Sequence, residues 1–93
     1  MEFTPYPSSF ILGYYFGSDF LLVLKKTGDV YVSLAYFAKR IGEDSLAEMK
    51  ILASQGKGLE EYLETHKDIA ESYSAFFKWK DVEFAGSLRE AKE

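Results

Sequence analysis

The run FILGYYFGSDFLLVLKKTGDVYVS, residues 10–33, decides the fold. FILGYYF (10–16) is rich in aromatic and β-branched residues and reads as a strand. Gly17-Ser18-Asp19 is a turn signal, and FLLVLK (20–25) is a second strand. Lys26-Thr27-Gly28-Asp29 turns the chain again into VYVS (30–33), a third strand. Three short strands joined by tight turns make an antiparallel meander. FLLVL is almost continuously apolar, which suits a central strand covered on both faces. Gly13 interrupts the first strand and marks a bulge or a close backbone approach.

Outward from this run, the N-terminal TPYPSS is turn-like, because Pro5 and Pro7 lack backbone donors and bias the preceding residues toward extended geometry. On the other side, LAYFAKRI (34–41) either lengthens the third strand or forms a short helix ended by Gly42. Ser45-Leu46-Ala47-Glu48 fits a capping box, which predicts a helix start at Ser45. Leu46, Met49, Leu52 and Ala53 share a face of that helix, and Gly56 suits its end. A second helix is expected from near Gly58, with Leu59, Tyr62, Leu63, His66, Ile69 or Ala70, and Tyr73 at helical spacing. FFKWKDVEF (76–84) returns to period two, with Phe77 and Trp79 on one face. A late edge strand protected by lysines is expected there, the competing reading being a longer helix. The polar segment from Gly86 to Glu93 is expected to fray.

The chain has 93 residues, 47% of them apolar and 17% aromatic, which fits one domain with a packed core. There is no cysteine and a single histidine, so disulfides, thiolate metal sites and histidine clusters are excluded, and no cofactor or metal is expected. No apolar run approaches the roughly 18 residues of a membrane span. The opening MEFTPYPSS has neither the basic region nor the apolar core of a signal peptide, so a cytoplasmic protein is expected. The net charge of −4 is uneven: residues 1–42 carry four basic against three acidic residues, residues 43–93 seven against twelve. Such a balance opposes the broad positive field of duplex binders and leaves room for a local basic patch.

Four constellations could carry chemistry. Gly56-Lys57-Gly58 before a helix could aim backbone N–H groups and a lysine at an anion. It could equally be a bend between two helices; a P-loop would need a preceding strand and a Ser or Thr after the lysine, where Leu59 stands. Tyr14 and Tyr31, with Lys25 and Lys26 beside them, could stack bases and neutralise phosphates; the competing reading places the rings in a core. Phe76, Phe77 and Trp79 could anchor a protein partner. Glu60, Glu61 and Glu64 read as a solvated helix face rather than acid–base groups, and His66 has no nucleophile in a recognisable motif with it.

Taken in order, Ser8-Ser9, Gly13-Tyr14, Gly28, Tyr31, and Ser54, Gly56 and Lys57 make residues 8–67 resemble the KTSC domain. That family is a short module found alone in bacterial and viral proteins and at the end of some lysyl-tRNA synthetases. Ser33 stands where the family's pattern has a second tyrosine. The resemblance implies that Ser54, Gly56 and Lys57 form a recurring corner packed near the sheet, and its synthetase context implies RNA binding.

The expected architecture is therefore α+β: a three- or four-stranded antiparallel meander with two or three helices on one face, in which Leu46, Met49, Leu52, Leu59, Tyr62 and Leu63 meet the sheet. Two functions are expected, neither enzymatic. One is a binder of RNA or another phosphate-bearing ligand through Ser54, Gly56, Lys57, Gly58, Tyr14, Tyr31, Lys25 and Lys26. The other is a protein-interaction module through Phe76, Phe77 and Trp79, as a homodimer or as an inhibitor of a partner of the kind phages and mobile elements encode.

Overall fold

A computed structural model describes residues 2–8 and 10–84. Ser9 and the polar tail 86–93 lie outside the described residues. The meander forms as the 10–33 run requires: β2 (Gly13–Phe16), β3 (Phe20–Thr27) and β4 (Val30–Phe37) pair antiparallel, with Gly28-Asp29 closing the second hairpin. Leu21, Leu22, Val23 and Leu24 are all buried, so β3 is covered on both faces, the condition its unbroken apolar run demands.

The sheet is larger than expected. Six strands run in the order β5-β4-β3-β2-β1-β6, where β1 is Glu2–Pro5, β5 is Ala75–Trp79 and β6 is Glu83–Phe84. All neighbours are antiparallel except β1 and β6. The prolines hid β1 from the sequence reading. Pro5 ends that strand opposite Gly13, where a missing N–H costs the ladder little. Both alternatives for residues 34–41 are realised in succession: β4 runs to Phe37, and α1 (Ala38–Ile41) ends at Gly42.

The helices differ from expectation at their ends. α2 spans Glu43–Gln55 with Gly42 at its N-cap, so Ser45 lies in its first turn and caps nothing; Glu43 and Asp44 take the favourable positions at the positive helix end. The expected second helix breaks at His66 into α3 (Leu59–Thr65) and α4 (Lys67–Ala70). At the break, the His66 ring stacks on Tyr62 at 4.1 Å and its Nδ1 lies 2.9 Å from the Tyr62 carbonyl oxygen.

Two cores result. On the helix side, Leu46, Met49, Ala53, Leu59 and Leu63 pack with Ile11, Leu21, Val23, Tyr6 and Tyr36, and Leu52 and Tyr62 join them half-buried. On the opposite face, Phe3, Leu22, Leu24 and Ala35 are buried among Phe20, Tyr31, Phe37, Trp79 and Phe84. The second core exists because the sheet curls. In a flat sheet β1 and β5, four strand spacings apart, would be separated by roughly 19 Å. Instead the Phe3 and Trp79 rings meet edge-on at 5.9 Å. The Trp79 indole N–H donates to Ser33 Oγ at 2.8 Å, which satisfies a fully buried hydroxyl.

Gly13 allows this closure. A Cβ there would stand 2.8 Å from the Thr4 carbonyl oxygen and 2.9 Å from Phe84 Cε1, so only glycine lets β1 and Phe84 lie this close to β2. The sequence marks the position as a bulge or a close approach, and it is a close approach.

Candidate functional site

The Gly-Lys-Gly segment is a bend. Gly56 takes the left-handed conformation (φ 74°) that ends α2, and Pro7 packs against it. The neighbouring Tyr6 reaches past the bend. Its hydroxyl accepts the Leu59 N–H at 3.0 Å and donates to Glu60 Oε1 at 3.0 Å. Ser8 Oγ accepts the N–H groups of Phe10 and Ile11 and so shapes the adjoining turn. The Glu60 carboxyl is held below its ordinary value, foremost by the nearby Ser8 hydroxyl, while burial chiefly pushes the Tyr6 phenol up. The Tyr6-Pro7-Ser8 segment and the corner are thus one unit.

For an anion this corner offers little. The first N–H of α3 is bonded to Tyr6, Ser54 Oγ donates to the Ile51 carbonyl within α2, and Lys57 is exposed with Glu60 and Glu61 close by in sequence. Lys57→Ala should change stability by less than about 0.5 kcal/mol in urea denaturation, as an exposed surface change does. Tyr6→Phe should cost about 1–2 kcal/mol, because it strands the Leu59 N–H. Equal losses for the two variants would refute the division of labour between a structural tyrosine and a free lysine.

The predicted ring-and-lysine set splits between the two faces of the sheet. Strand alternation places Leu21, Val23 and Lys25 toward the helices and Leu22, Leu24 and Lys26 away from them. Tyr14, opposite Val23, is on the helix side and packs on Phe16 at 5.0 Å. Tyr31 is directly opposite Lys26, on the other face. The expectation that Tyr31 lies near Tyr14 is therefore corrected: the register separates them by three residue pairs and the pleat turns them apart. Lys25 instead edges a groove of about 360 Å³ with Phe10, Ile11, Leu63, Glu64 and Lys67. Lys26 does meet Tyr31. Its ammonium lies 5.5 Å from the ring centre, at a recess of about 400 Å³ bounded by Pro5, Leu12 and Phe84.

The third predicted set also divides. Trp79 is half-buried, with its ring on Phe3 and its N–H on Ser33, so it closes the sheet from within and is no free anchor. Phe76 and Phe77 remain 49% and 46% exposed and point to opposite faces of β5. β5 stands at the end of the strand order, so among the described residues its outer edge has no partner. Lys78 lies within the strand and Lys80 follows it directly, and both are exposed.

One structural lysine was missed from sequence. Lys50 Nζ donates to the Gly17 carbonyl at 2.6 Å and lies 5.7 Å from the Phe16 ring, tying the β2–β3 turn to α2. Its position four residues after Leu46 and one after Met49, beside the buried stripe, was the available signal.

Among the described residues no group of three His, Asp or Glu side chains is placed to hold a metal ion, and no helix is long and apolar enough to cross a membrane. No family model, no curated protein and no solved structure matches the chain.

Proposed function

We propose that this chain is a non-enzymatic protein-interaction domain whose β5 edge receives an extended segment of a partner. The observation that carries the reading is the pair Phe76 and Phe77, each about half exposed, on an edge strand unpaired among the described residues. Addition of a strand supplies main-chain hydrogen bonds, and alternate side chains supply selectivity. The rings would cover apolar segments on either face, and Lys78 and Lys80 favour a segment that carries acids. A synthetic peptide alternating valine and glutamate should slow amide hydrogen exchange at residues 75–79 and leave the α2 amides as they were. Protection elsewhere, or none, would dispose of the reading.

A second reading has one observation in its favour, the Lys26 ammonium over Tyr31 beside an open recess. A phosphate-bearing ligand, a nucleotide or a short RNA, would set its base among Tyr31, Leu12 and Phe84 and its phosphate on Lys26. Binding of a short RNA would then weaken steeply between low and high salt, and Lys26→Ala would abolish it. Lys57→Ala would leave it unchanged. Affinity that ignores both salt and Lys26 removes this reading.

A further inference from the structure

We propose that the grooves on either side of Phe10, along α3, dock a cationic amphipathic helix of another protein, a surface separate from the β5 edge. Phe10 is 69% exposed, more than any other large apolar side chain among the described residues. It does not hang on a loose loop. Ser8 Oγ accepts the N–H groups of Phe10 and Ile11, and the Ile11 side chain is buried in the helix-side core. The chain therefore holds this ring outward against the pull of burial, which marks a contact surface. The ring is a wall shared by two depressions. One, of about 360 Å³, has Ile11, Leu63 and Ala70 as its apolar lining. The other, of about 480 Å³, is lined by Glu60, Glu61, Glu64 and Gly58.

The charge around these grooves selects the occupant. Residues 60–71 carry five carboxylates and one lysine, a net charge of −4. That is the whole net charge of the chain, because the remaining residues balance at ten acidic and ten basic. The negative field is thus concentrated on the segment that borders the most exposed ring, and it attracts a positive partner. Among the described residues no three acidic side chains are placed to hold one metal ion, so the carboxylates suit charges spread along a chain rather than a single cation. Glu60 and Glu64 stand one turn apart on α3, a repeat that lysines or arginines one turn apart on a partner helix can follow. Glu60 is already oriented by the Tyr6 hydroxyl, so it gives up little freedom on binding. The apolar stripe of such a helix would cover Phe10 and Leu63, the helix-in-groove mode of recognition.

Lys25 and Lys67 line the far side of the first depression. They repel a cationic occupant there and direct it toward Glu60, Glu61 and Glu64, where the second depression has no basic lining residue. Reversing the charge at Lys67, which is exposed, should therefore strengthen binding rather than weaken it.

The test uses a dye-labelled synthetic helix of leucine and lysine with its leucines on one face, titrated with the full chain and read by fluorescence anisotropy. A peptide of equal charge with serine in place of leucine is the comparison. The expected result is saturable binding of the leucine peptide that weakens with salt, protection of the α3 amides from hydrogen exchange, and ~10-fold weaker binding to Phe10→Ser and to Glu64→Lys. Lys67→Glu should tighten it. Glu48→Lys makes the same change of net charge at an exposed position on α2 and should weaken binding far less than Glu64→Lys. All four substitutions are at exposed side chains, and an unchanged urea midpoint confirms that each variant is folded. Equal losses for Glu48→Lys and Glu64→Lys would reduce the effect to net charge and overturn the site. Equal binding of the serine peptide, or an unaffected Phe10→Ser, would leave polycation attraction alone and overturn the amphipathic helix. No binding of either peptide overturns the proposal outright.

Discussion

Replacement of Phe3 by alanine is expected to destabilise the protein by about 3–5 kcal/mol, the range for removing a fully buried aromatic side chain. Phe3 has 0% of its surface exposed and lies in the second core with Leu22, Leu24 and Ala35. Its loss would leave a cavity with rigid walls, since Leu22 and Leu24 belong to the central strand and cannot collapse inward cheaply. It would also remove the ring against which Trp79 stands edge-on. A chain of this size has a total stability of roughly 5–14 kcal/mol, so the change takes about a fifth of it or more. Trp79 is the single tryptophan, so its emission reports this contact directly. Urea unfolding should show a lower midpoint, and the folded-state emission should shift to the red. A loss under about 1 kcal/mol with unchanged emission would mean that the sheet does not curl onto Phe3 and that Trp79 is free for a partner.

Alkaline conditions should remove about 2–3 kcal/mol of stability between pH 10 and pH 12, and most of that change should disappear in Tyr36→Phe. The Tyr36 phenol is pushed up from 10.0 to about 12, first by burial and then by the nearby Tyr73. A raised folded value means that the unfolded chain gives up the proton first. The contribution is therefore complete below pH 10 and is lost as the pH climbs toward 12. Tyr6 shifts in the same direction, also chiefly through burial, and adds to the loss. Below pH 10, Tyr36→Phe should cost only about 1 kcal/mol, the net worth of the hydrogen bond its hydroxyl donates to the Ala70 carbonyl at 2.9 Å. Unfolding measured at several pH values checks both halves. A slope that persists in Tyr36→Phe would place the titrating group elsewhere.

How far the site could be read in advance depended on the range of the interaction. Alternation along β3 is local, so it was legible that neighbouring residues such as Lys25 and Lys26 must point apart. Which of them would meet Tyr31 depended on register, and register is set when the whole apolar set of β3 and β4 is buried together. Trp79 shows the limit most clearly. From its spacing with Phe77 it reads as an exposed anchor, yet the curl of the sheet brings it onto Phe3, seventy-six positions earlier in the chain. The Gly-Lys-Gly bend offers the same lesson. Its glycines announce a helix end, but the hydroxyl that satisfies the next N–H comes from Tyr6, before the first meander strand.

The sequence by itself determined the three-strand meander, the covered central strand, the amphipathic helices that must pack on it, and the α+β class. These follow from periodicity and turn chemistry, which act over a few residues. Only the tertiary structure decided that β1 and β6 extend the sheet, that the sheet closes on itself around Phe3, and that Phe76 and Phe77 are left outward while Trp79 is drawn in. Each of those outcomes balances burial between segments far apart in the chain, and no local pattern of residues encodes the distance between them.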